Sequence, residues 1–324
     1  MKAITQRSYG APADVLRLEE VDPPEVGPGQ VLVRVRASSV NPADWFGTTG
    51  TPYLMRLMFG PTRPRQPIPG RDVAGTVEAV GPGVTRFVVG DAVFGELSGG
   101  AYAELVVADE KLLAAKPTTL DFAEAAAVPL AGGTALQGMR DAARVRPGQD
   151  VLVVGASGGV GTFAVQVATA LGARVTGVCS TRNVELVRSL GAVDVVDYTA
   201  EDFTSRAPTF DVVFDLIGSR PIMASRRVLK PGGVYVASTG KPGGAVLGPI
   251  PFLARVLLSA VRRSTRAVVF AAKPSAADLD ELTALIDTGR VRPVIDVRVD
   301  LASVAAALEG QGAGHARGKT VVVV

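Results

Sequence analysis

Glycines at 155, 158 and 161 recur every third residue within Val151-Leu152-Val153-Val154-Gly155-Ala156-Ser157-Gly158-Gly159-Val160-Gly161. The four apolar residues before them, three of them β-branched, read as a buried strand. Thr162 to Leu171 continues with helical character. A strand, a glycine turn and a helix in that order aim backbone N–H groups and a helix N-terminus at a phosphate. The pattern predicts a dinucleotide site, with Ser157, Gly158, Gly159 and Val160 lying against the pyrophosphate.

The next chemistry lies at the end of the following strand. An NAD site places Asp or Glu about twenty residues past the glycines, where it holds the ribose 2′-hydroxyl. This chain instead reads Gly177-Val178-Cys179-Ser180-Thr181-Arg182, with no acid before Glu185. Hydroxyls and a guanidinium suit a 2′-phosphate, which a carboxylate would repel. NADPH is therefore the expected cofactor, with Ser180 and Arg182 on its phosphate. A solvated helix start is the plainer alternative for Arg182. Ligands of open α/β sheets sit at the carboxyl ends of strands. Leu216, Ile217 and Gly218, and further on Ser238, Thr239 and Gly240, are expected to line the nicotinamide end, unless they are simply turns.

Six strands positioning these residues are predicted at Val151–Val154, Arg174–Val178, Asp194–Val196, Asp211–Leu216, Gly233–Ser238 and Ala267–Phe270, with helical segments between. That alternation describes a doubly wound parallel sheet, so the fold class is α/β. Before it, Lys2–Thr5, Val31–Val35 and Tyr102–Val107 read as short strands among Gly/Pro-rich turns, as in a small β-barrel-like domain. Val291–Val299 and Thr320–Val324 return as strands that complete it. A chain of 324 residues fits two domains, expected at 1–122 with 290–324 and at 123–289. Basic residues number 34 against 31 acidic, which gives no argument for nucleic acid. One cysteine, Cys179, excludes an intrachain disulfide and favours a cytoplasmic setting. The N-terminus lacks an apolar signal-peptide core. The most membrane-like stretch, Leu247 to Val261, is too short to span a membrane; Leu247 to Arg263 reads as a lid helix, a dimer surface or an interfacial helix.

The segment Gly70 to Val93, GRDVAGTVEAVGPGVTRFVVGDAV, resembles the signature GHExxGxVxxVGxxVxxxxxGDxV of zinc-type alcohol dehydrogenases. With GASGGVG downstream, nearly the whole chain resembles the medium-chain dehydrogenase/reductase superfamily. The resemblance implies a GroES-like β-rich catalytic domain joined to a Rossmann domain. Three departures concern the metal. Arg71 stands where the family has its zinc-ligand histidine, Asp72 replaces the neighbouring glutamate, and Pro42 replaces the usual ligand cysteine. Arginine has no lone pair to give, and catalytic zinc needs about three N, S or O ligands. With one His (His315) and one Cys in the chain, and no four-cysteine lobe, the expectation is a metal-free protein.

Asn41-Pro42, GASGGVG and Asp211–Gly218 (DVVFDLIG) resemble the zinc-free quinone oxidoreductases and enone reductases. That likeness implies a homodimer. It also implies cofactor contacts at Thr134, Tyr198, Phe270, Ala271 and Ala272. Asn41 is the candidate to orient nicotinamide or substrate oxygen. Tyr53 is a candidate donor of a hydrogen bond or proton, with packing as an equal explanation. Without a Lewis acid, a quinone or α,β-unsaturated carbonyl is the easier acceptor, because conjugation delocalises the incoming electron pair. The expected function is NADPH-dependent quinone or enone reduction. Two alternatives stay open: a dehydrogenase of simple alcohols and ketones, and a catalytically idle NADPH-binding redox sensor.

Overall fold

The computed structural model describes residues 1–238, 244, 246–248, 250–259, 264–313 and 317–324. Thr239, Gly240, His315 and part of the 247–263 stretch lie outside the described residues. The chain forms two compact units, Met1–Gly133 with Pro274–Thr288 and Pro293–Val324, and Thr134–Lys273 with Gly289–Arg292.

The first unit begins with β1 (Lys2–Gln6), β2 (Leu16–Glu20), β3 (Gln30–Ser39), β4 (Asp72–Val80), β5 (Ala92–Glu96), β6 (Leu105–Asp109) and β7 (Leu113–Ala115). The second unit holds β8 (Asp150–Val154), β9 (Arg174–Cys179), β10 (Asp194–Asp197), β11 (Phe210–Asp215), β12 (Leu229–Ala237) and β13 (Arg266–Val269). The chain then returns to the first unit for β14 (Ile295–Asp300) and β15 (Lys319–Val323). Helices include α1 (Pro42–Thr49), α2 (Phe122–Ala126), α3 (Pro129–Gln137), α4 (Gly159–Ala170), α5 (Ile250–Ser259), α6 (Ala276–Asp287) and α7 (Val304–Ala313).

In the first unit a seven-stranded sheet runs β14-β15-β3-β4-β5-β7, with β6 also paired to β3. Along β3, Val31, Val33 and Val35 alternate inward and pack with Val73, Val77, Val93 and Leu113. This is the period of two that a half-buried strand requires. The alternation fails at the end of β3, where Ser38 and Ser39 are both buried. Consecutive buried hydroxyls mark the start of a polar interior.

The second unit carries a six-stranded parallel sheet in the order β10-β9-β8-β11-β12-β13. Its strands read as continuous apolar runs because both faces are covered. Leu152, Val154, Val178, Val196, Val213 and Tyr235 share one core cluster, to which Val256 of α5 belongs. The strand order reverses direction between β8 and β11, which opens a crevice at their carboxyl ends.

Several edges differ from expectation. The last excursion becomes strand only at Ile295, because Pro293 lacks the N–H a ladder needs. Tyr102 and Ala103 precede β6 and bond instead across the loop, Tyr102 N–H to the Pro69 carbonyl at 3.1 Å. The glycine turn hands over to helix at Gly159, three residues before the expected start. No helix among the described residues is long and apolar enough to cross a membrane.

Candidate active site

In the second unit the glycine turn follows β8 directly. Gly155 sits at φ +88°, a conformation L side chains rarely adopt, and its N–H and that of Ala156 both bond the Val178 carbonyl of β9. A Cβ on Gly161 would fall 2.0 Å from the Gly155 carbonyl oxygen, so this residue lets the helix close onto the strand. Gly158 is different. The nearest atom to a Cβ there would be 3.5 Å away, so the space above it is open. The first N–H groups of α4 have no partner within the helix and point toward that opening. This is a cradle suited to a pyrophosphate.

The residues expected around a dinucleotide converge on the same edge of the sheet. Parallel register brings the ends of β9, β8, β11, β12 and β13 side by side, pairing Val154 with Val178, Asp215 with Val154, Ala237 with Asp215 and Val269 with Ala237. Ser157, Ser180, Arg182, Leu216, Ile217, Ser238 and Phe270 lie just beyond these ends, and Tyr198 lies just beyond β10, whose last residue Asp197 pairs with Cys179 of β9. Thr134 is buried within α3. Ala271 and Ala272 lie on a segment whose neighbour Lys273 exchanges two hydrogen bonds with the Gln137 side chain, at 2.7 and 3.1 Å.

Two residues that shape this edge escaped the sequence reading. Asn183, buried, donates its amide to Ser157 Oγ at 3.0 Å and to Ser180 Oγ at 3.4 Å, tying the glycine turn to the end of β9. Its Oδ1 is buried without a partner. Asp215 accepts the backbone N–H groups of Ile217 and Gly218 at 2.9 and 2.8 Å and the Tyr235 hydroxyl at 2.6 Å. It therefore fixes the loop expected at the nicotinamide. Burial, reinforced by the Asp215 charge, pushes the Tyr235 hydroxyl pKa upward.

The first unit holds a buried polar cluster where β3, α1, β4 and β15 meet. Asp72 is fully buried, Asn41 is 1% exposed and Lys319 is 4% exposed. Asp72 Oδ2 accepts from Ser39 Oγ at 2.6 Å and Asn41 Nδ2 at 3.0 Å, with Lys319 Nζ at 3.5 Å. Asp72 Oδ1 accepts the Leu130 N–H at 3.0 Å. Lys319 also donates to Asn41 Oδ1 and to the Val40 carbonyl. Both ends of the Asn41 amide are thus engaged inside the protein. Tyr53 is half exposed and faces the Arg56 guanidinium at 4.7 Å, which stacks on Tyr9 as well.

Beside this cluster, Arg71 bonds Glu96 Oε1 through Nε at 3.2 Å and Nη2 at 2.8 Å. Burial, followed by the Asp72 charge, raises the Glu96 pKa against the pull of Arg71. Asp44 Oδ2 accepts the Asn41 N–H at 3.0 Å and the Tyr102 hydroxyl at 3.2 Å. Burial, then repulsion from Asp72, pushes the Asp44 carboxyl up to about 7 against Arg71 and Lys319. Asp44 and Arg71 both line a cavity of about 310 Å³ with Ala43, Gly47, Met58 and Phe59.

The family's zinc does not fit these residues. Pro42 offers no donor, Arg71 is a permanent cation already paired, and both oxygens of Asp72 are occupied. Among the described residues no group of three or more His, Cys, Asp or Glu side chains could hold a metal. A nicotinamide dinucleotide does fit, through the open cradle at Gly158.

Two outcomes follow. Gly161→Ala should lower the melting temperature of the protein substantially. Gly158→Ala should leave it nearly unchanged yet weaken dinucleotide binding about tenfold or more, some 1.4 kcal/mol, by fluorescence titration. Undiminished binding by Gly158→Ala would remove the turn from the pyrophosphate site. Lys319→Met should cost about 3–5 kcal/mol in denaturant unfolding, since it strands a buried carboxylate. Adding Asp72→Asn should recover much of that loss.

The alcohol dehydrogenase GroES-like domain family matches residues 27–118, and the zinc-binding dehydrogenase family matches residues 190–322. A chloroplast envelope quinone oxidoreductase homolog of Arabidopsis thaliana is 35% identical, over 99% of this chain and 98% of its own. The NADPH-dependent alkenal/one oxidoreductase of the same plant is 35% identical over 99% of this chain and 79% of its own. The solved quinone oxidoreductase of Coxiella burnetii superposes with a TM-score of 0.87 at 31% identity, covering 100% and 99% of the two chains. The chain belongs to the medium-chain dehydrogenase/reductase superfamily, in the branch of the quinone oxidoreductases and enone reductases, and is an oxidoreductase with a nicotinamide-binding fold.

Proposed function

We propose that this protein reduces quinones or α,β-unsaturated carbonyl compounds with NADPH and without a metal. One observation carries the reading: the position of a zinc-ligand histidine is held by Arg71, locked onto Glu96 beside an Asp72 already neutralised by Lys319. An isolated carbonyl needs strong polarisation of its oxygen before it accepts a hydride. A conjugated acceptor spreads the incoming electron pair over its own framework. The reaction then asks the protein mainly for orientation and exclusion of water.

When bound, the reduced nicotinamide supplies the hydride. Thr134, Leu216, Ile217, Ser238, Phe270, Ala271 and Ala272 are assigned to hold that end, and Ser157, Gly158, Gly159 and Val160 the pyrophosphate. Asn41, clamped by Lys319 and Asp72, is assigned to orient the nicotinamide or the substrate oxygen, and Tyr53 to donate a hydrogen bond or proton.

The preference for NADPH rests on the end of β9. Ser180, Thr181 and Arg182 follow Cys179 there, and no carboxylate does. Asp197, which pairs with Cys179 across the parallel register, is already taken on both oxygens: Thr181 Oγ1 at 2.6 Å on one, and the Thr199 N–H and hydroxyl at 2.9 and 2.7 Å on the other. Tyr198, half exposed, flanks the same place.

Among the described residues the edge strand β13 pairs with β12 alone, which supports a homodimer paired along it. The single cysteine supports a cytoplasmic location, and the near balance of charges supports a small-molecule partner rather than a nucleic acid.

Arg182→Ala should weaken NADPH binding about 10- to 150-fold, the worth of one charge-assisted hydrogen bond, and NADH far less. Equal losses for the two nucleotides would remove Arg182 from the phosphate. NADPH oxidation should be rapid with 9,10-phenanthrenequinone or an alkenal and near background with simple ketones. Turnover confined to simple ketones would contradict the proposal.

A further inference from the structure

Asn183 is 3% exposed within the second unit and opens the helix Val184–Ser189. An asparagine at that position ordinarily turns its side-chain oxygen onto the N–H groups of the first helical turn. Asn183 does not. Its side chain makes no cap, and its Oδ1 is buried with no hydrogen-bond partner among the described residues. A buried acceptor left unmet is costly, so helix stability alone would turn this side chain the other way. The amide nitrogen instead reaches back to two loops. It donates to Ser157 Oγ of the glycine turn at 3.0 Å and to Ser180 Oγ beyond β9 at 3.4 Å. The two loops already adjoin, since the Gly155 and Ala156 N–H groups bond the Val178 carbonyl.

The sense of these bonds matters. A hydroxyl has one proton to give and two lone pairs with which to accept, whereas an amide nitrogen only donates. Asn183 therefore occupies a lone pair on each serine and leaves both hydroxyl protons unused. Neither proton meets an acceptor among the described residues. Thr181, next to Ser180, differs, because its Oγ1 already donates to Asp197 at 2.6 Å. We propose that Asn183 is a positioning residue for the cofactor, one that sets the Ser157 hydroxyl as a donor to the pyrophosphate and the Ser180 hydroxyl as a donor to the ribose 2′-phosphate. This rests on the NADPH reading above.

A phosphate at neutral pH offers acceptor oxygens, and hydrogen bonds to such anions are roughly twice as strong as those between neutral groups. NADH carries a neutral hydroxyl at the ribose 2′ position, so a fixed donor at Ser180 favours NADPH. The pyrophosphate is common to both nucleotides, so the donor at Ser157 serves both alike. Asn183 thus acts on overall affinity through one serine and on discrimination through the other, while touching neither phosphate itself. Each effect disappears with the hydroxyl that transmits it.

The test is calorimetric titration of the purified protein with NADPH and with NADH. Asn183→Leu is compared in the wild-type, Ser180→Ala and Ser157→Ala backgrounds. In the wild-type background it should weaken NADPH about tenfold more than NADH, the low end of one hydrogen bond to a charged group. In the Ser180→Ala background that excess should vanish. In the Ser157→Ala background the excess should persist, while the loss shared by the two nucleotides shrinks. Equal losses of both nucleotides in the wild-type background would overturn the assignment, since a residue that merely ties two loops together weakens both alike. An undiminished excess in the Ser180→Ala background would overturn it too. If Asn183→Leu does not fold, Asn183→Asp answers the same question. Its carboxylate accepts the serine protons, so its NADPH-specific loss should be smaller once Ser180 is alanine. A loss of the same size in both backgrounds would mean charge repulsion alone and would contradict the role. A wild type that binds the two nucleotides equally would instead remove the NADPH reading, and the inference with it.

Discussion

A carboxylate with no solvent exposure cannot stand alone in a protein interior, and Asp72 shows what must surround one. Ser39, Asn41, the Leu130 N–H and Lys319 together use both of its oxygens. These partners come from β3, the start of α1, the start of α3 and β15, which lie far apart in the sequence. Satisfying one buried charge thereby fixes where four elements of the first unit meet. It also fixes the Asn41 amide, because Lys319 holds its oxygen and Asp72 its nitrogen. Cations of the chain itself, Lys319 and Arg71, face the carboxylates Asp72 and Glu96 here.

The second unit meets the opposite demand, to leave backbone groups open for an anion that is not part of the chain. It does so with glycine at two positions that serve different ends. Gly161 permits close packing of helix on strand, and Gly158 leaves room above the helix N-terminus. Asn183 and Asp215, both buried, then hold the neighbouring loops by side-chain hydrogen bonds to Ser157 and to the Ile217 and Gly218 N–H groups. Two buried side chains thus fix the loops at the carboxyl ends of these parallel strands.

Much of this was legible in the sequence because it is local. The strand, turn and helix around Gly155 occupy consecutive residues, and each parallel strand announces itself as an apolar run. Arg71 was legible too, since a cation in place of a metal ligand is a change of chemistry at one position. The polar cluster was not. Lys319 stands in an ordinary-looking Gly318-Lys319-Thr320 before a run of valines, and nothing local reveals that its ammonium reaches Asn41 and Asp72, 278 and 247 residues away. Asp44 and Tyr102 likewise gain their meaning from a hydrogen bond across 58 residues. Asp215 gave a faint signal, a lone acid closing an apolar strand. Asn183 gave none beyond its place after Ser180.

Metal-free hydride transfer, as proposed, depends on the pairing of Arg71 with Glu96 and of Lys319 with Asp72 in place of a metal site. The direct measurement is elemental analysis of the purified protein, paired with kcat/KM for NADPH and an enone or quinone before and after exhaustive chelation. Metal-free transfer requires substoichiometric zinc and an unchanged kcat/KM. Activity that falls with removal of one bound zinc per chain, and returns when zinc is restored, would contradict it.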